Sequence, residues 1–390
     1  MFGKGFLKKV DIIGLMLMFL FLLNPYSLVI YIGYLIVIYV VAFKIGSITK
    51  LIDSEALILI LFSFIYTSFD FLGGGDSGIQ ILIIQAIFPF SFYIFGKYLI
   101  SNKLSQKDIF FLLISFAVIY SASSVATVLK DILEGGFAQV NRDFSSVWDG
   151  REILATGMAG YLIYNVTFPS FIISKSRFLN VFGRLILLFF YFVTILCSFR
   201  LGSRTLITLT VFSLLFSIVY QIIILKPKDK FIFIIQLIVI SLLLLNFVSI
   251  DLEADYFSTL GHRLTEGTTS ASSAGGRTEL WLNGFANMFE HPLGWQGEEY
   301  GHNLWIDTAK VSGLLSLFFL LVFTVKSITN TKKIVFSNNI DPSLRICLGL
   351  FTIVTLIFFF GEPILEGNIY LFFFFCFYQG IVKRIIEIET

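Results

Sequence analysis

Residues 203–249 read SRTLITLT VFSLLFSIVY QIIILKPKDK FIFIIQLIVI SLLLLNFVS, which is two long apolar runs joined by one lysine-rich turn. Each run has about the 20 apolar residues that a helix needs to cross some 30 Å of hydrocarbon. The turn, Leu225 to Lys230, is only long enough to reverse the chain direction. This pattern predicts two antiparallel transmembrane helices, and similar runs recur along the whole chain.

The composition agrees with a protein that is embedded in lipid. Of the 390 residues, 57% are hydrophobic and 14% are charged, whereas soluble proteins contain about 45–50% apolar residues. Such a composition excludes a soluble enzyme, a disordered tail and a secreted disulfide scaffold. A net charge of +2 gives no reason to expect a nucleic acid as partner. Three cysteines lie inside apolar runs and are interpreted as buried small hydrophobic residues: Cys197, Cys347 and Cys376.

We therefore predict an all-α polytopic membrane protein, with residues 1–390 forming one integral membrane domain. The first apolar run is too long for a signal peptide and lacks a small-residue cleavage site, so it is expected to be a retained helix. No internal repeat is visible. Twelve runs qualify as transmembrane helices: 8–24, 27–44, 54–72, 78–98, 108–130, 152–174, 183–199, 203–225, 230–249, 304–326, 344–362 and 367–384.

The distribution of charge predicts the orientation of these helices. Lysine and arginine are retained on the cytoplasmic side of a membrane. With the N-terminus in the cytoplasm, 20 of the 28 basic residues fall on the inner side, and 18 of the 26 acidic residues fall on the outer side. Twelve spans then place both termini in the cytoplasm. Against the acidic outer side, the few outer arginines are candidates for binding an anion.

Two outer segments, 131–151 and 250–303, are longer than simple turns. The second of these joins the ninth and tenth spans. Within it, residues 277–289 carry apolar side chains at positions i, i+4, i+7 and i+8, which predicts one amphipathic helix. This helix is too short to span a membrane and is expected to lie on the membrane surface or to cap the bundle. Its apolar stripe consists of Trp281, Phe285, Met288 and Phe289.

Three outer arginines lie where they can bind an anion. Arg277 begins the amphipathic helix, so its side chain and the free backbone N–H groups of the first turn can face one ligand. The alternative is an arginine that extends toward lipid phosphate. Arg200 and Arg204 are the first and last residues of a five-residue stretch in a tight outer turn. Bidentate binding of a diphosphate would explain this pair, and lipid anchoring is the alternative.

All three histidines lie in the long outer loop. His262 and His291 are expected to be solvated loop residues. The alternative is a zinc site formed by the three histidines, but their spacings of 29 and 11 residues match no short zinc motif. His302 begins the tenth span, where the partial positive charge of a helix N-terminus favours the neutral ring that accepts a proton. His302 is therefore either a base or a helix cap. Glu362, at the membrane edge, is the second candidate for proton exchange, whereas Glu366 is expected to be an ordinary loop charge.

Several short motifs follow one another between Gly276 and Leu315: Arg277, Trp281, His291-Pro292-Leu293-Gly294, His302-Asn303 and Gly313-Leu314. In this order they resemble the signature of the Wzy/WaaL family, the O-antigen polymerases and ligases of bacterial envelopes. The turn Ser203-Arg204 is similar to an upstream Ser-Arg element of the same family. The chain departs from many relatives at Trp295-Gln296-Gly297, where they have Gly-x-Gly.

The resemblance implies a metal-independent glycosyltransferase without a cofactor, located in the bacterial inner membrane with its active site on the periplasmic face. Its leaving group would be undecaprenyl diphosphate. Arg204 and Arg277 would bind the diphosphate with help from Arg200, since arginine can neutralise departing phosphate charge. His302, or else Glu362, would activate the acceptor hydroxyl. Further residues expected to contact substrate are Trp281, Trp295, Tyr300, Asn303 and Trp305.

The resemblance leaves three functions open. We favour a polymerase, which joins lipid-linked oligosaccharide repeat units, because the outer loops carry no extra domain. A ligase would transfer finished glycan from undecaprenyl diphosphate to a lipid A core during lipopolysaccharide biosynthesis. A transporter or flippase of lipid-linked sugars would need ionisable groups near the bilayer midplane. Expected partners are the lipid-linked oligosaccharide, the bilayer and, for a polymerase, a chain-length regulator and a flippase.

Overall fold

The computed structural model describes residues 6–24, 28–43, 46, 49–73, 78–101, 103–137, 139, 142–174, 177–247, 254–255, 258–261, 277–295 and 301–389. A small antiparallel hairpin pairs β1 (Asp143–Ser145) with β2 (Glu152–Leu154). The helices, in chain order, are α1 (Ile12–Leu23), α2 (Val29–Ile38), α3 (Ser54–Leu72), α4 (Ile79–Leu99), α5 (Gln106–Gly135), α6 (Ala155–Leu162), α7 (Phe168–Ile173), α8 (Val181–Leu201), α9 (Arg204–Ile224), α10 (Pro227–Phe247), α11 (Arg277–Glu290), α12 (Leu304–Val335), α13 (Pro342–Gly361) and α14 (Ile369–Glu389).

Eight helices of the described residues are long and apolar enough to cross a membrane: α3, α4, α5, α8, α9, α12, α13 and α14. They correspond to eight of the twelve predicted spans, and the predicted fold class of an all-α polytopic membrane protein is confirmed. The ninth predicted span is also helical, as α10. The first two predicted spans form the shorter helices α1 and α2, the second of which continues into a π-helical turn, Tyr39–Phe43.

The sixth predicted span, 152–174, is not one continuous helix. It begins as strand β2 and continues as α6, a 3₁₀ turn at Asn165–Thr167 and α7. Pro169 gives the physical reason for the interruption, because it has no N–H group to donate to the carbonyl of Asn165 one turn earlier. Hydropathy alone does not register this loss of a backbone donor.

The centre of the bundle is the pair formed by α4 and α14, which pack together more extensively than any other described pair. Two glycines permit this approach. A Cβ atom at Gly96 would clash with the carbonyl oxygen of Phe377, and one at Gly380 would clash with that of Tyr93. Close contact through small residues is a common way for helices to associate in lipid. Phenylalanine rings fill the space on either side of the contact.

Charged side chains of the described spans gather at the two ends of the bundle. One of these ends, which we call the opposite end, contains an ion-pair network around the buried Lys97. Lys97 Nζ lies 2.6 Å from both Asp53 Oδ2 and Glu387 Oε1. Glu55, also buried there, pairs with Lys383 at 3.0 Å. The other end, called the site end, is formed by the C-termini of α8 and α13, the N-termini of α9 and α12, the hairpin and α11.

Candidate functional site

Glu362 is the centre of a polar cluster at the site end. It follows the last residue of α13 and its side chain is buried. Its Oε1 accepts a hydrogen bond from Thr205 Oγ1 at 2.7 Å, and its Oε2 lies 3.2 Å from Nη2 of Arg277. Thr205 is the second residue of α9, next to Arg204, and Arg277 is the first residue of α11. Glu362 therefore connects three separate helices.

Arg204 and Arg142 add positive charge to this cluster. Arg142 precedes β1, and its Nε donates to the carbonyl oxygen of Leu201 at 3.2 Å. Burial lowers the pKa of Arg142, and the charge of Arg204 lowers that pKa further, whereas Glu362 opposes the shift. Arg204 is half-buried and forms no ion pair within the part of the chain that the structure describes. The cluster thus contains an arginine whose charge no described carboxylate neutralises.

His302 lies beside Arg277 and Glu362 in an unusual backbone conformation. Its φ is 50°, in the left-handed region that residues other than glycine rarely adopt. Its Nδ1 atom is buried and has no hydrogen-bond partner among the described residues. Burial lowers the pKa of His302, the charge of Arg277 lowers it further, and Glu362 opposes the shift. These influences favour the neutral imidazole, which is the form able to accept a proton.

The helix cap next to His302 is Asn303. Its side-chain oxygen accepts hydrogen bonds from the backbone N–H groups of Trp305 and Ile306, at 3.0 and 3.3 Å, and its Nδ2 donates to the carbonyl oxygen of Phe360 at 3.3 Å. Asn303 is buried and fully engaged in beginning α12. Asn303 therefore caps α12, so capping, one of the two roles predicted for His302, is performed by Asn303. The geometry gives Asn303 a structural place rather than an open face toward substrate.

Asp307 fixes the turn that carries His302. Its two carboxylate oxygens accept from the backbone N–H groups of Gly301, at 2.6 Å, and Asn303, at 3.1 Å. A carboxylate in the first turn of a helix also interacts favourably with the helix dipole. These two bonds flank His302 on either side, so they hold its backbone in the left-handed conformation.

The tryptophans predicted to contact sugar surround this turn. Trp281 Nε1 donates to the carbonyl oxygen of Gly301 at 2.7 Å, and its ring meets that of Phe360 edge to face, with centroids 4.7 Å apart. Trp305 Nε1 donates to Thr324 at 3.3 Å. Both indole N–H groups are therefore used within the protein. Trp295 is half-buried beside α12, and Tyr300 lies outside the described residues.

Helix α11 forms as predicted, but its predicted stripe is divided between two faces. Trp281 and Met288 face α12, where Gly284 permits close approach: a Cβ there would lie 2.5 Å from Cγ2 of Ile306. Phe285 and Phe289 are 60% and 66% exposed. The buried face of α11 is therefore the face that contains Gly284, and it includes only part of the predicted apolar stripe.

The segment His291 to Trp295 is bonded to a break in α12. Gly313, inside this helix, has a φ of 71°, so the regular hydrogen bonds are interrupted there. The N–H of Leu314 donates to the carbonyl of Pro292, and the N–H of Trp295 donates to the carbonyl of Lys310, both at 2.9 Å. Two of the motifs that carry the sequence resemblance, His-Pro-Leu-Gly and Gly-Leu, therefore meet in space.

Arg200 does not join the cluster. Its side chain has no exposed surface, and its Nε lies 2.6 Å from Asp131 Oδ2, while Nη2 donates to Gln139 at 3.1 Å. The guanidinium also lies over the ring of Phe144, 4.8 Å from the centroid. These contacts tie α8 to α5 and to the hairpin, so Arg200 stabilises the scaffold of the site end.

No group of three or more metal-binding side chains occurs within the described ranges. His291, one of the described residues, is exposed. His262 lies outside them. Sequence reasoning did not select Arg142 or Thr205 as site residues. One sequence feature could have identified Arg142, namely its position among the few basic residues of the acidic outer side, but Arg142 belongs to no motif. Thr205 carried none.

No protein-family model matches the chain, and no curated protein matches it.

Proposed function

We propose that the protein is an O-antigen polymerase, or a polymerase of a related surface polysaccharide. It joins oligosaccharide repeat units linked to undecaprenyl diphosphate, at the periplasmic face of the bacterial inner membrane. The observation that carries the proposal is the cluster at the site end. Arg277 pairs with Glu362, the charges of Glu362 and Arg204 act on Arg142, and burial and Arg277 lower the pKa of His302. The order of motifs between Gly276 and Leu315 supports the same assignment.

The arginines provide the charge that a diphosphate leaving group needs. Glycosyl transfer from a polyprenyl diphosphate breaks the bond between the anomeric carbon and the phosphate oxygen, and negative charge develops on that oxygen. Guanidinium groups fixed in a partly buried site stabilise this charge more strongly than water does. Arg204 has no described carboxylate partner and Arg277 pairs with Glu362. A diphosphate would compete with Glu362 for Arg277, so Glu362 keeps that guanidinium neutralised until the donor binds.

His302 would remove the proton of the acceptor hydroxyl. The hydroxyl oxygen forms the new bond to the anomeric carbon, undecaprenyl diphosphate departs, and the proton passes to the imidazole. This step requires a ring that is neutral before the reaction, and burial together with Arg277 lowers the pKa of His302 in that direction. Glu362 is the alternative acceptor, but it already accepts from Thr205 and pairs with Arg277.

The positions of the charged groups favour an enzyme over a transporter. Transport of a charged lipid-linked sugar would call for ionisable side chains near the bilayer midplane. In the described spans such side chains lie toward the helix ends, as in the network of Lys97 and Glu387 and in the cluster around Glu362. A ligase shares the chemistry of a polymerase, so the acceptor distinguishes those two functions.

The test supplies the purified full chain with an undecaprenyl-diphosphate-linked oligosaccharide, with and without a lipid A core acceptor. A ladder of longer lipid-linked products is expected without the core. Product that forms only on the core would replace polymerase by ligase, and intact substrate that crosses a vesicle membrane without lengthening would replace it by transporter.

Two matched variants test the assignment of His302. His302→Asn should lower the rate of chain extension by at least about 100-fold, since asparagine tolerates the left-handed backbone but is not a base. His291→Asn, at an exposed loop position, should keep normal activity. Equal activity of the two variants would remove His302 from the mechanism.

A further inference from the structure

A cavity of about 620 Å³ opens at the opposite end of the bundle, between the N-termini of α5 and α13. Its described lining includes three basic side chains, Lys107, Arg177 and Arg345, and one carboxylate, Asp341. The cavity lies at the end of the bundle away from Glu362, so the proposed glycosyl transfer does not use it.

The wall of this cavity is held by side-chain bonds. Gln106 donates through Nε2 to the carbonyl oxygen of Asn339 at 3.0 Å and accepts at Oε1 from the N–H of Asp341 at 2.7 Å. Asp341 is buried and pairs with Arg177. One of the three lining cations is thus neutralised within the wall. Gln106 Nε2 also donates to Glu389 Oε1 at 2.9 Å, so a second carboxylate lies beside the wall, and two lining cations remain without an ion pair to a described carboxylate.

The remaining cations are Lys107 and Arg345. Neither forms an ion pair with any described carboxylate, and the Nε atom of Arg345 is buried without a hydrogen-bond partner in the described part of the chain. The first turns of α5 and α13 line the same space, and their N-terminal N–H groups are capped by the side chains of Ser105 and Asp341, so the charge that faces the cavity comes from Lys107 and Arg345. This is the chemistry that binds a phosphate group.

An apolar groove of about 230 Å³ adjoins the basic cavity. It runs between α5 and α8, and its lining is almost entirely hydrophobic. Phe111 lines the groove one helical turn after Lys107, whose Nζ lies 5.9 Å from the centre of the Phe111 ring. Phe178 lines the cavity and the next residue, Leu179, lines the groove. The two spaces therefore share a wall.

We propose that the cavity and the groove together bind one anionic phospholipid of the leaflet at the opposite end. The phosphate occupies the basic cavity and one acyl chain occupies the groove. A free phosphate would use only the cavity, and a zwitterionic lipid would bring its own cation close to Lys107 and Arg345. The charge of the cavity disfavours the zwitterionic lipid, and the apolar lining of the groove disfavours free phosphate, so an anionic lipid fits both spaces.

The test is a lipid titration of the purified full chain in detergent, followed by native mass spectrometry. The probes are dioleoyl phosphatidylglycerol and dioleoyl phosphatidylcholine, and inorganic phosphate is added as competitor. The first lipid should bind about tenfold more tightly than the second, because the choline group of the second brings a positive charge close to Lys107 and Arg345. Millimolar phosphate should weaken its binding only slightly, because phosphate lacks the acyl chain.

Two variants separate the parts of the site. Arg345→Gln should remove the preference for the anionic lipid, with Lys107→Gln as the second variant if the first does not fold. Ser115→Leu fills the groove and should weaken phosphatidylglycerol about tenfold. Their controls are Lys332→Gln and Ser68→Leu, at exposed positions outside both spaces. Equal binding of the two lipids, full displacement by phosphate, or an unaffected Ser115→Leu variant would overturn the proposal.

Discussion

At the scale of single residues, His302 combines a constrained backbone with a ring that resists protonation. Its φ of 50° is maintained by the bonds of Asp307 to the N–H groups on either side of it. Non-glycine residues in such conformations occur often at functional sites. Burial and the adjacent charge of Arg277 lower the pKa of the ring. Backbone geometry and burial therefore both distinguish His302 from the exposed His291.

The lowered pKa of His302 predicts the pH dependence of chain extension. A base must be neutral to act, so activity is lost as pH falls through the pKa of His302. Because that pKa lies below the ordinary value of about 6.5, the midpoint of the acidic limb is expected below pH 6.5. The measurement is the rate of extension from pH 5 to 8 at saturating donor. A midpoint at or above pH 7 would contradict the assignment.

Arg277 tests whether phosphate recognition depends on the planar guanidinium. Its Nη2 pairs with Glu362 at 3.2 Å. Arg277→Lys retains the charge but loses the paired N–H groups that grip two oxygens at once, so we expect the turnover number to fall by about 10- to 100-fold. Arg151→Gln, at the exposed tip of the hairpin, is the control. Full activity of the lysine variant would rule out bidentate binding at this position.

Arg142 is the residue that the structure adds to the site. Its charge acts on Arg204 and Glu362, and its Nε donates to the carbonyl that ends α8. Arg142→Gln keeps a donor to that carbonyl but removes one positive charge facing the donor diphosphate. The KM for lipid-linked donor should rise about tenfold, with the melting temperature unchanged. A lower melting temperature with an unchanged KM would instead mean that Arg142 is structural.

At the scale of elements, the break in α12 explains how two distant motifs form one unit. Gly313 interrupts the helix, and the freed Leu314 N–H and Lys310 carbonyl bond to the segment that follows α11. An unbonded backbone group in such a place would cost about 1–3 kcal/mol. The break therefore fixes α11 against α12, and with it the position of Arg277 at the first residue of α11.

Gly313→Ala tests this docking. Gly313 has φ 71° and ψ −171°, a conformation that is essentially restricted to glycine and costs an L-residue about 1–3 kcal/mol, and the new Cβ would clash with the carbonyl of Pro292. We expect the free energy of unfolding to fall by at least about 1 kcal/mol and chain extension to fall with it. At Gly78 a Cβ meets nothing within 4 Å, so thermal unfolding of Gly78→Ala should match the wild type. Equal stability of both variants would contradict a role for the break.

Helix α11 shows how far a sequence pattern predicts an element. The spacing of apolar residues identified the helix, because one-sided burial repeats every 3.6 residues. It did not identify the buried face, since that depends on Gly284 fitting against Ile306, a residue more than 20 positions away. Phe285 and Phe289 belong to the same stripe in sequence but remain exposed.

At the scale of the whole molecule, eight of the twelve spans were predictable because the bilayer imposes length and hydropathy on each helix separately. The crossing of α4 and α14 was not, since it depends on Gly96 and Gly380 meeting across nearly 300 residues. The same holds for the site. Arg277, His302 and Glu362 were selected by local signals, whereas Arg142 entered only through the fold.

The orientation of the molecule in the membrane can be tested by labelling introduced cysteines. All three native cysteines are completely buried, so the wild type provides an unlabelled background for thiol reagents. Arg151, in the hairpin at the site end, and Lys333, at the opposite end, are both exposed. The predominance of basic residues around Lys333 predicts that this end is cytoplasmic. A membrane-impermeant maleimide should therefore label Arg151→Cys in intact spheroplasts and Lys333→Cys only after permeabilisation. The reverse pattern would place the cluster around Glu362 in the cytoplasm, where periplasmic chain extension is impossible.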